Sequence, residues 1–356
     1  MNDKKKIRIG INGLGRIGRA IFRVNQIKNY FDVVVINEIN PDVKNIAYTL
    51  NYDTLYGKQD IKFEGKGNSL FSTLGDIISV HHEHHINDLD WNQYDVDYVI
   101  DASGILDNVL HAKELIRKQK IKNVFVTHSP NNVDFTMVLG ANEEQLNIDK
   151  HKVISTSICD ATALGPVLNV INKSFGINDG YVTTLHPWLN YQNLMDGPSS
   201  SWSVPGEIYH HYALGRSIDG NMIPKPTSAI EATCRVTDGL TEQMIGSFSY
   251  RTPTAIVGSA DITLNLKNNT DKQEVIKVFE EKEKNQNIKV IHNNIDPLVS
   301  LDFLKSEYSA IVDHRWTDVI NNSLLKMVLW YDNEWGYSSR VIDQVKYVSD
   351  KEKGEK

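Results

Sequence analysis

Apolar positions recur in two different rhythms along the 356-residue chain. In the first third, short apolar runs alternate with helical periodicity. Lys5 to Ile11 sets Ile7, Ile9 and Ile11 at period two and predicts a short strand. A glycine-rich turn and a helix from about Arg16 to Lys28 follow. Asp32 to Ile36 reads DVVVI, a continuous apolar run of the kind buried on both faces of a sheet. Val96 to Ala102 and Lys122 to Thr127 repeat that run, with a helical segment from His111 to Lys118 between them. Strand, helix, strand in this order predicts a parallel sheet with helices on its faces.

After about residue 155 the rhythm changes. Ala161 to Ser174 reads as one helix. Gly180 to Leu185, Gly246 to Arg251 and Ala255 to Lys267 read as longer strands, the last with alternating apolar positions, and predict a mixed or antiparallel sheet. Asp271 to Lys284 reads as a surface helix, Leu324 to Tyr331 as a strand and Ser338 to Val348 as a closing helix. Ser349 to Lys356 is expected to be a frayed charged tail. The stretch Gln192 to Lys225 is rich in Ser, Pro, Gly and His and lacks periodicity. A loop of that length inside a domain is usually functional or disordered. The expected organisation is a doubly wound α/β domain over 1–158, an α+β domain with a mixed sheet over 159–335, and a C-terminal helix and tail over 336–356 that returns to the first domain.

Composition narrows the function classes. Hydrophobic residues make up 40% of the chain, enough for two cores. A net charge of −7 argues against a general nucleic-acid binder. No apolar run approaches the roughly 18 residues of a transmembrane helix. The basic start, Met1 to Lys6, is followed by a segment broken by Arg8, Arg16 and Arg19, unlike a signal peptide. No membrane partner and a cytoplasmic location are therefore expected. Two cysteines, Cys159 and Cys234, do not make a disulfide framework.

Gly13-Leu14-Gly15-Arg16-Ile17-Gly18 is a G-x-G-x-x-G motif between a predicted strand and a predicted helix. In that context the first glycine permits a tight turn and the second lets the backbone approach a pyrophosphate. The third lets helix and strand pack closely. The helix N-terminus offers N–H groups to the phosphates. Glu38, after the second strand, stands where an acid binds the ribose hydroxyls, which favours NAD over NADP. The first domain thus reads as a Rossmann-type dinucleotide domain. The bland alternative is a structural glycine turn in an unrelated doubly wound fold.

Cys159 directly precedes a predicted helix. The helix dipole there favours the thiolate, so a depressed pKa is expected. The alternative reading is a buried small hydrophobe. The surrounding segments decide between them. IGINGLGRIGRAIFR, ISTSICDATALGP, YVTTLHPW, SYRTPTA and LWYDNEWGYSSRVID resemble the glyceraldehyde-3-phosphate dehydrogenase family in order and spacing. The resemblance runs from Lys6 to about Val348. It implies NAD-dependent oxidation of a small phosphorylated aldehyde through a thiohemiacetal and then a thioester on Cys159. His186 matches the base, Asn333 the residue that fixes the nicotinamide carboxamide, and Tyr337 the aromatic beside that ring. Arg16 and Ile17 match pyrophosphate-binding backbone positions, and Ser103 and Gly104 the adenosine side. Arg251, Thr227 and Ser228 match substrate-phosphate positions, and Arg216 is the second arginine. Inorganic phosphate as co-substrate and a homotetramer are also implied.

The chain departs from that pattern in three places. The hydroxyl that follows the nucleophile in the family is Asp160, a carboxylate that should repel phosphate and raise the thiol pKa. It also suits a helix N-terminus as a simple capping charge. The threonine three residues after the histidine is Leu189. The loop with His210, His211 and Tyr212 is enlarged, which implies a different substrate or subunit interface. His81, His82, Glu83, His84 and His85 read as a solvated strand end, and no metal is expected. Two alternatives stay open: a non-phosphorylating dehydrogenase of a related three- or four-carbon aldehyde, and a catalytically weak NAD-binding paralogue.

Overall fold

The computed structural model describes residues 6–190, 192–198 and 212–354. They divide into two compact units, one of 1–136, 145–156 and 341–356, the other of 137–144 and 157–340.

The first unit is built on a nine-stranded sheet. Its order is Phe135–Thr136, Val153–Ser155, Asn123–Val126, Tyr98–Asp101, Ile7–Asn12, Phe31–Asn37, Ile77–His81, Ser69–Ser72 and Phe63–Lys66. The first seven pair in parallel and the last two add an antiparallel edge. The apolar runs of the sequence are the central strands, with Ile9, Ile11, Val35, Ile36, Val99 and Ile100 fully buried. Strand order reverses on either side of Ile7–Asn12, the arrangement that opens a crevice at the carboxyl ends of the strands. The helix Arg16–Lys28 buries Gly18, Ala20, Ile21, Phe22 and Val24 and ends at Asn29 in the left-handed conformation.

The second unit carries an eight-stranded mixed sheet. Its main path is Ile223–Lys225, Ile245–Arg251, Ile177–His186, Gly258–Leu266, Leu324–Tyr331, Ala310–Asp313 and Ile291–Asn294, with Asp318–Ile320 paired beside it. The helix Cys159–Phe175 lies on this sheet and shares its core through Ala163, Leu164, Val167, Leu168 and Ile171. Leu324–Tyr331 has the bounds that its alternation predicts.

One expectation is corrected. Ser349 to Glu352 is not frayed, because the closing helix runs from Trp335 to Glu352. Tyr98 donates its hydroxyl hydrogen to Glu352 Oε2 at 2.5 Å, and Ser349 is buried. A charged composition hid a helix end that tertiary contacts hold.

Candidate active site

The chain makes a strained turn immediately before Cys159. Ser157 has φ +62°, a left-handed conformation that costs a non-glycine residue energy. Tyr337 braces that turn by donating its hydroxyl hydrogen to the Ser157 carbonyl at 3.0 Å. Ile158 is extended and is the N-cap without a side-chain cap, so the helix starts on Cys159 itself. The thiol is half-buried.

The residues around it come from one face of the sheet. Residues two apart on a strand point to the same side. His186 pairs with Arg251 and Thr184 with Ser249 across the parallel strands. Ile223 and Lys225 on the edge strand pair with Arg251 and Ser249 in turn. On the other side Gly258 pairs with Tyr331, and a side chain on Gly258 would meet the Tyr331 ring at 2.8 Å. Glycine there lets the tyrosine lie across its strand.

Asp160 links these groups. Its Oδ2 lies 3.2 Å from His186 Nε2. Its Oδ1 accepts the Tyr331 hydroxyl hydrogen at 2.7 Å and lies 3.9 Å from Cys159 Sγ. Reactive atoms of Cys159, Asp160 and His186 all fall within 4.8 Å of one another. His186 Nε2 also lies 3.0 Å from Thr184 Oγ1, which in turn sits 2.5 Å from Ser249 Oγ. Asp160 and His186 are both buried.

This arrangement overturns the expectation of a depressed thiol pKa. Burial first, and the Asp160 carboxylate second, push Cys159 well above its ordinary value, against a smaller opposite pull from Arg251. The helix dipole is outweighed by burial and by the anion next to the sulfur. Burial also raises Asp160, but His186 and Tyr331 outweigh it, and the carboxyl stays below its usual range. Burial, Asp160 and Cys159 hold Tyr331 well above the usual phenol value, so it remains a donor. Burial, with Glu242 adding to it, raises the Cys234 thiol to about 11.

The other residues singled out by sequence are distributed as follows. Arg251 is buried and donates to the Pro187 carbonyl at 3.0 Å. Thr227 Oγ1 accepts from the Ala229 amide at 3.2 Å, and Ser228 is exposed. Arg216 is engaged elsewhere: its Nε pairs with Asp196 Oδ2 at 2.9 Å on the exposed surface. Leu189 donates its amide hydrogen to Gln192 Oε1 at 2.9 Å. His210 and His211 lie outside the described residues; Tyr212 opens a short 3₁₀ turn, Tyr212–Gly215. Asn333 Oδ1 is buried and has no hydrogen-bond partner among the described residues. Such an orphan acceptor suits an amide N–H donor from a ligand, as a nicotinamide carboxamide supplies. The histidine run separates: His81 Nε2 lies 2.6 Å from Tyr94 Oη, and His82 Nδ1 lies 2.8 Å from the Glu38 carbonyl. The ring of His85 packs against His111.

In the first unit the glycine motif caps the sheet's carboxyl edge. Asn12, Asn37 and Asp101 end three adjacent strands and form a buried chain, with Asn37 donating to Asn12 at 2.7 Å and Asn12 donating to Asp101 at 2.8 Å. Gly13 has φ +87°, and a Cβ there would meet Ser103 Cα at 2.6 Å. Gly15, the helix N-cap, faces open space and offers no side-chain cap. The first-turn N–H groups of the helix therefore head a cradle with room at Gly15, which fits a pyrophosphate. The Arg16 side chain pairs with Asp53 at 2.6 Å, leaving backbone rather than guanidinium as the phosphate-facing feature of the first turn. Ile17 follows it in that turn, and Gly18 packs against Gly13. Ser103 donates to Asp101 Oδ1 at 2.7 Å, and Gly104 has φ +71°. Glu38 Oε2 accepts the Leu14 amide hydrogen inside the motif at 2.6 Å, so the acid is held against the loop.

Four residues of the second unit escaped the sequence reading: Tyr331, Thr184, Ser249 and Lys225. Three of them stand two places before a residue already singled out, Asn333, His186 and Arg251. Period-two spacing in TLH and SYR is the signal that could have found Thr184 and Ser249, whereas Asn333 lies beyond the strand that ends at Tyr331. Lys225 carries no such mark, because its strand is only three residues long.

Comparison with known proteins agrees with both units. The family model described as glyceraldehyde 3-phosphate dehydrogenase, NAD binding domain, matches residues 7–109. That of the C-terminal domain of the same enzyme matches residues 158–333. Glyceraldehyde-3-phosphate dehydrogenase 2 of Bacillus subtilis (strain 168) is 32% identical, with 97% of each chain covered. Glyceraldehyde-3-phosphate dehydrogenase 1 of Schizosaccharomyces pombe is 33% identical over 97% of this chain and 98% of its own. Glyceraldehyde-3-phosphate dehydrogenase 2 of Staphylococcus aureus (strain MRSA252) is 34% identical over 96% and 95%. With its glycine cradle, the thiol and imidazole of its second unit and these matches, the chain belongs to the glyceraldehyde-3-phosphate dehydrogenase family.

Proposed function

We propose that this protein is an NAD-dependent dehydrogenase that oxidises a small phosphorylated aldehyde through a covalent adduct on Cys159. The observation that carries this reading is the cluster of Cys159, Asp160 and His186, with reactive atoms within 4.8 Å of one another. The Cys159 sulfur bonds to the aldehyde carbon as its proton passes to His186, which returns that proton to the carbonyl oxygen to give a thiohemiacetal. NAD, when bound, supplies the acceptor for the hydride that leaves that carbon. His186 takes the hydroxyl proton as the thioester forms. Because the free thiol is held protonated, the base must act during attack rather than find a ready thiolate. Gly13, Gly15, Arg16, Ile17, Gly18, Glu38, Ser103 and Gly104 would hold the dinucleotide in the first unit. In the second, Asn333 would accept from the carboxamide. Arg251, Thr227 and Ser228 would face the substrate phosphate. A homotetramer and a cytoplasmic location belong to the same reading; light scattering of the purified protein tests the first.

Asp160 favours a second reading of the release step. A carboxylate beside the thioester repels inorganic phosphate and leaves His186 to take a proton from water, so hydrolysis to the free acid competes with phosphorolysis. Cys159→Ser should lower NADH formation more than about a thousandfold while NAD still binds, as followed by fluorescence titration. A variant that keeps full turnover sinks the covalent mechanism. Product masses with and without inorganic phosphate separate acyl phosphate from acid, and an absolute phosphate requirement eliminates the hydrolytic reading.

A further inference from the structure

Lys225 ends the edge strand Ile223–Lys225, in register with Ser249 and two places from Ile223, the partner of Arg251. By strand alternation it stands on the face that carries Ser249, Thr184, Arg251 and His186. It is half-buried, and its ammonium donates to the Pro226 carbonyl at 2.6 Å. The ionisable groups it faces are Arg251 on the adjoining strand and Asp160 and Cys159 on the helix. Among the described residues no carboxylate forms an ion pair with it, since Asp160 is already engaged by His186 and Tyr331.

The charge balance beside the thiol follows from these positions. Asp160 alone makes the place hostile to anions. Arg251 and Lys225 together carry two positive charges against that one negative charge, and the balance becomes receptive. A half-buried ammonium and a buried guanidinium on one face suit a doubly charged oxyanion, which gives each cation a short charge-assisted hydrogen bond. A lone carboxylate ligand would need only one of them.

We propose that Lys225 determines specificity: with Arg251 it receives a phosphate-class dianion beside Cys159, and it offsets the charge of Asp160 that would otherwise exclude that anion. The inference rests on the dehydrogenase reading above. The dianion has two sources, the phosphoryl end of the aldehyde and free inorganic phosphate. Burial first, then Arg251, lower the Lys225 pKa to about 8, with Asp160 and Cys159 opposing the fall. The ammonium is thus charged at neutral pH and lost in mild alkali, and bound dianion retains its proton.

The test is steady-state kinetics at saturating NAD, comparing a phosphorylated aldehyde with its unphosphorylated counterpart, each with varied inorganic phosphate. Lys225→Met should lower the ratio of kcat/KM for the phosphorylated over the unphosphorylated aldehyde by about tenfold to a hundredfold. Lys225→Arg should restore most of it. That result identifies the substrate as the source of the dianion. A ratio that holds while the KM for inorganic phosphate rises supports the proposal with free phosphate as the source. In the native enzyme the KM for the dianion should climb as the pH passes up through about 8, and Lys225→Arg should lack that limb. Equal losses on both aldehydes, with the phosphate KM unmoved, overturn the proposal and leave Lys225 a structural neighbour of Asp160. Lys225→Gln, polar and of similar length, guards against a misfolded methionine variant. Native enzyme that forms no NADH from any aldehyde breaks the dehydrogenase reading instead. Calorimetric titration with inorganic phosphate, native against Lys225→Met, then still decides: weaker binding supports the anion site and equal binding overturns it.

Discussion

The two units solve the handling of charge by opposite means. The first offers backbone to its ligand: the turn at Gly13, the open N-cap at Gly15 and the buried chain Asn37–Asn12–Asp101. The second gathers ionisable side chains, with Asp160 acting on Cys159, Lys225 and Tyr331, Arg251 acting on the same three, and His186 acting on Asp160. A backbone site depends on sterics, where one atom too many is ruinous, so its residues have few substitutes. A side-chain site depends on a balance of charges, and a carboxylate gained at one position is offset by an ammonium at another. The first kind of site tolerates few substitutions, and the second can be retuned by a compensating charge.

The comparison is broken most severely at the glycines. Gly13→Ala should destabilise the protein by about 3 kcal/mol, from a positive φ and a Cβ driven into Ser103. Gly15→Ala, whose Cβ meets nothing, should change thermal stability little yet weaken NAD at least about tenfold by filling the cradle. Equal stability losses in both variants contradict a steric cradle. Next in size is Asp160→Asn. Loss of the anion beside the sulfur should lower the thiol pKa and raise iodoacetamide labelling of Cys159 at neutral pH, by about tenfold. An unchanged rate means that burial alone sets the thiol. The smallest effect is that of Tyr331→Phe, about 1 kcal/mol at neutral pH by loss of the hydrogen bond to Asp160. Asp160 is held below its ordinary value in the folded state, so its contribution is present above the unfolded pKa and is lost as pH falls through the folded one. The variant's deficit should shrink in acid, and calorimetric melting at several pH values checks this.

The same contrast explains what could be read from residues alone. The parallel strands, the glycine turn and the placement of Cys159 at a helix start follow from period, φ requirements and local order, and the structure reproduces them. Asp160 was visible as an anomaly, and its upward pull on the thiol followed from its charge; its engagement by His186 and Tyr331 did not. Whether a helix dipole or a neighbouring carboxylate governs a thiol depends on burial and on where His186 and Tyr331 point, which only tertiary packing sets. Arg216 had the right chemistry and went to Asp196 instead, a choice made by loop geometry. Lys225 was invisible because a three-residue edge strand leaves no periodic trace. Glu352 looked like part of a solvated tail until Tyr98 claimed it.

The strained turn at Ser157 has a consequence for the order in which the protein is made. Its brace, Tyr337, lies 180 residues further along the chain, and Tyr331, which fixes Asp160, lies 171 residues beyond its partner. The nucleophile therefore leaves the ribosome long before the two tyrosines that shape its surroundings. Until they arrive, the cysteine belongs to an unfinished unit with neither its pinned turn nor its fixed carboxylate. The reactive geometry is a late product of synthesis, acquired only when the last strand and helix of the second unit are in place.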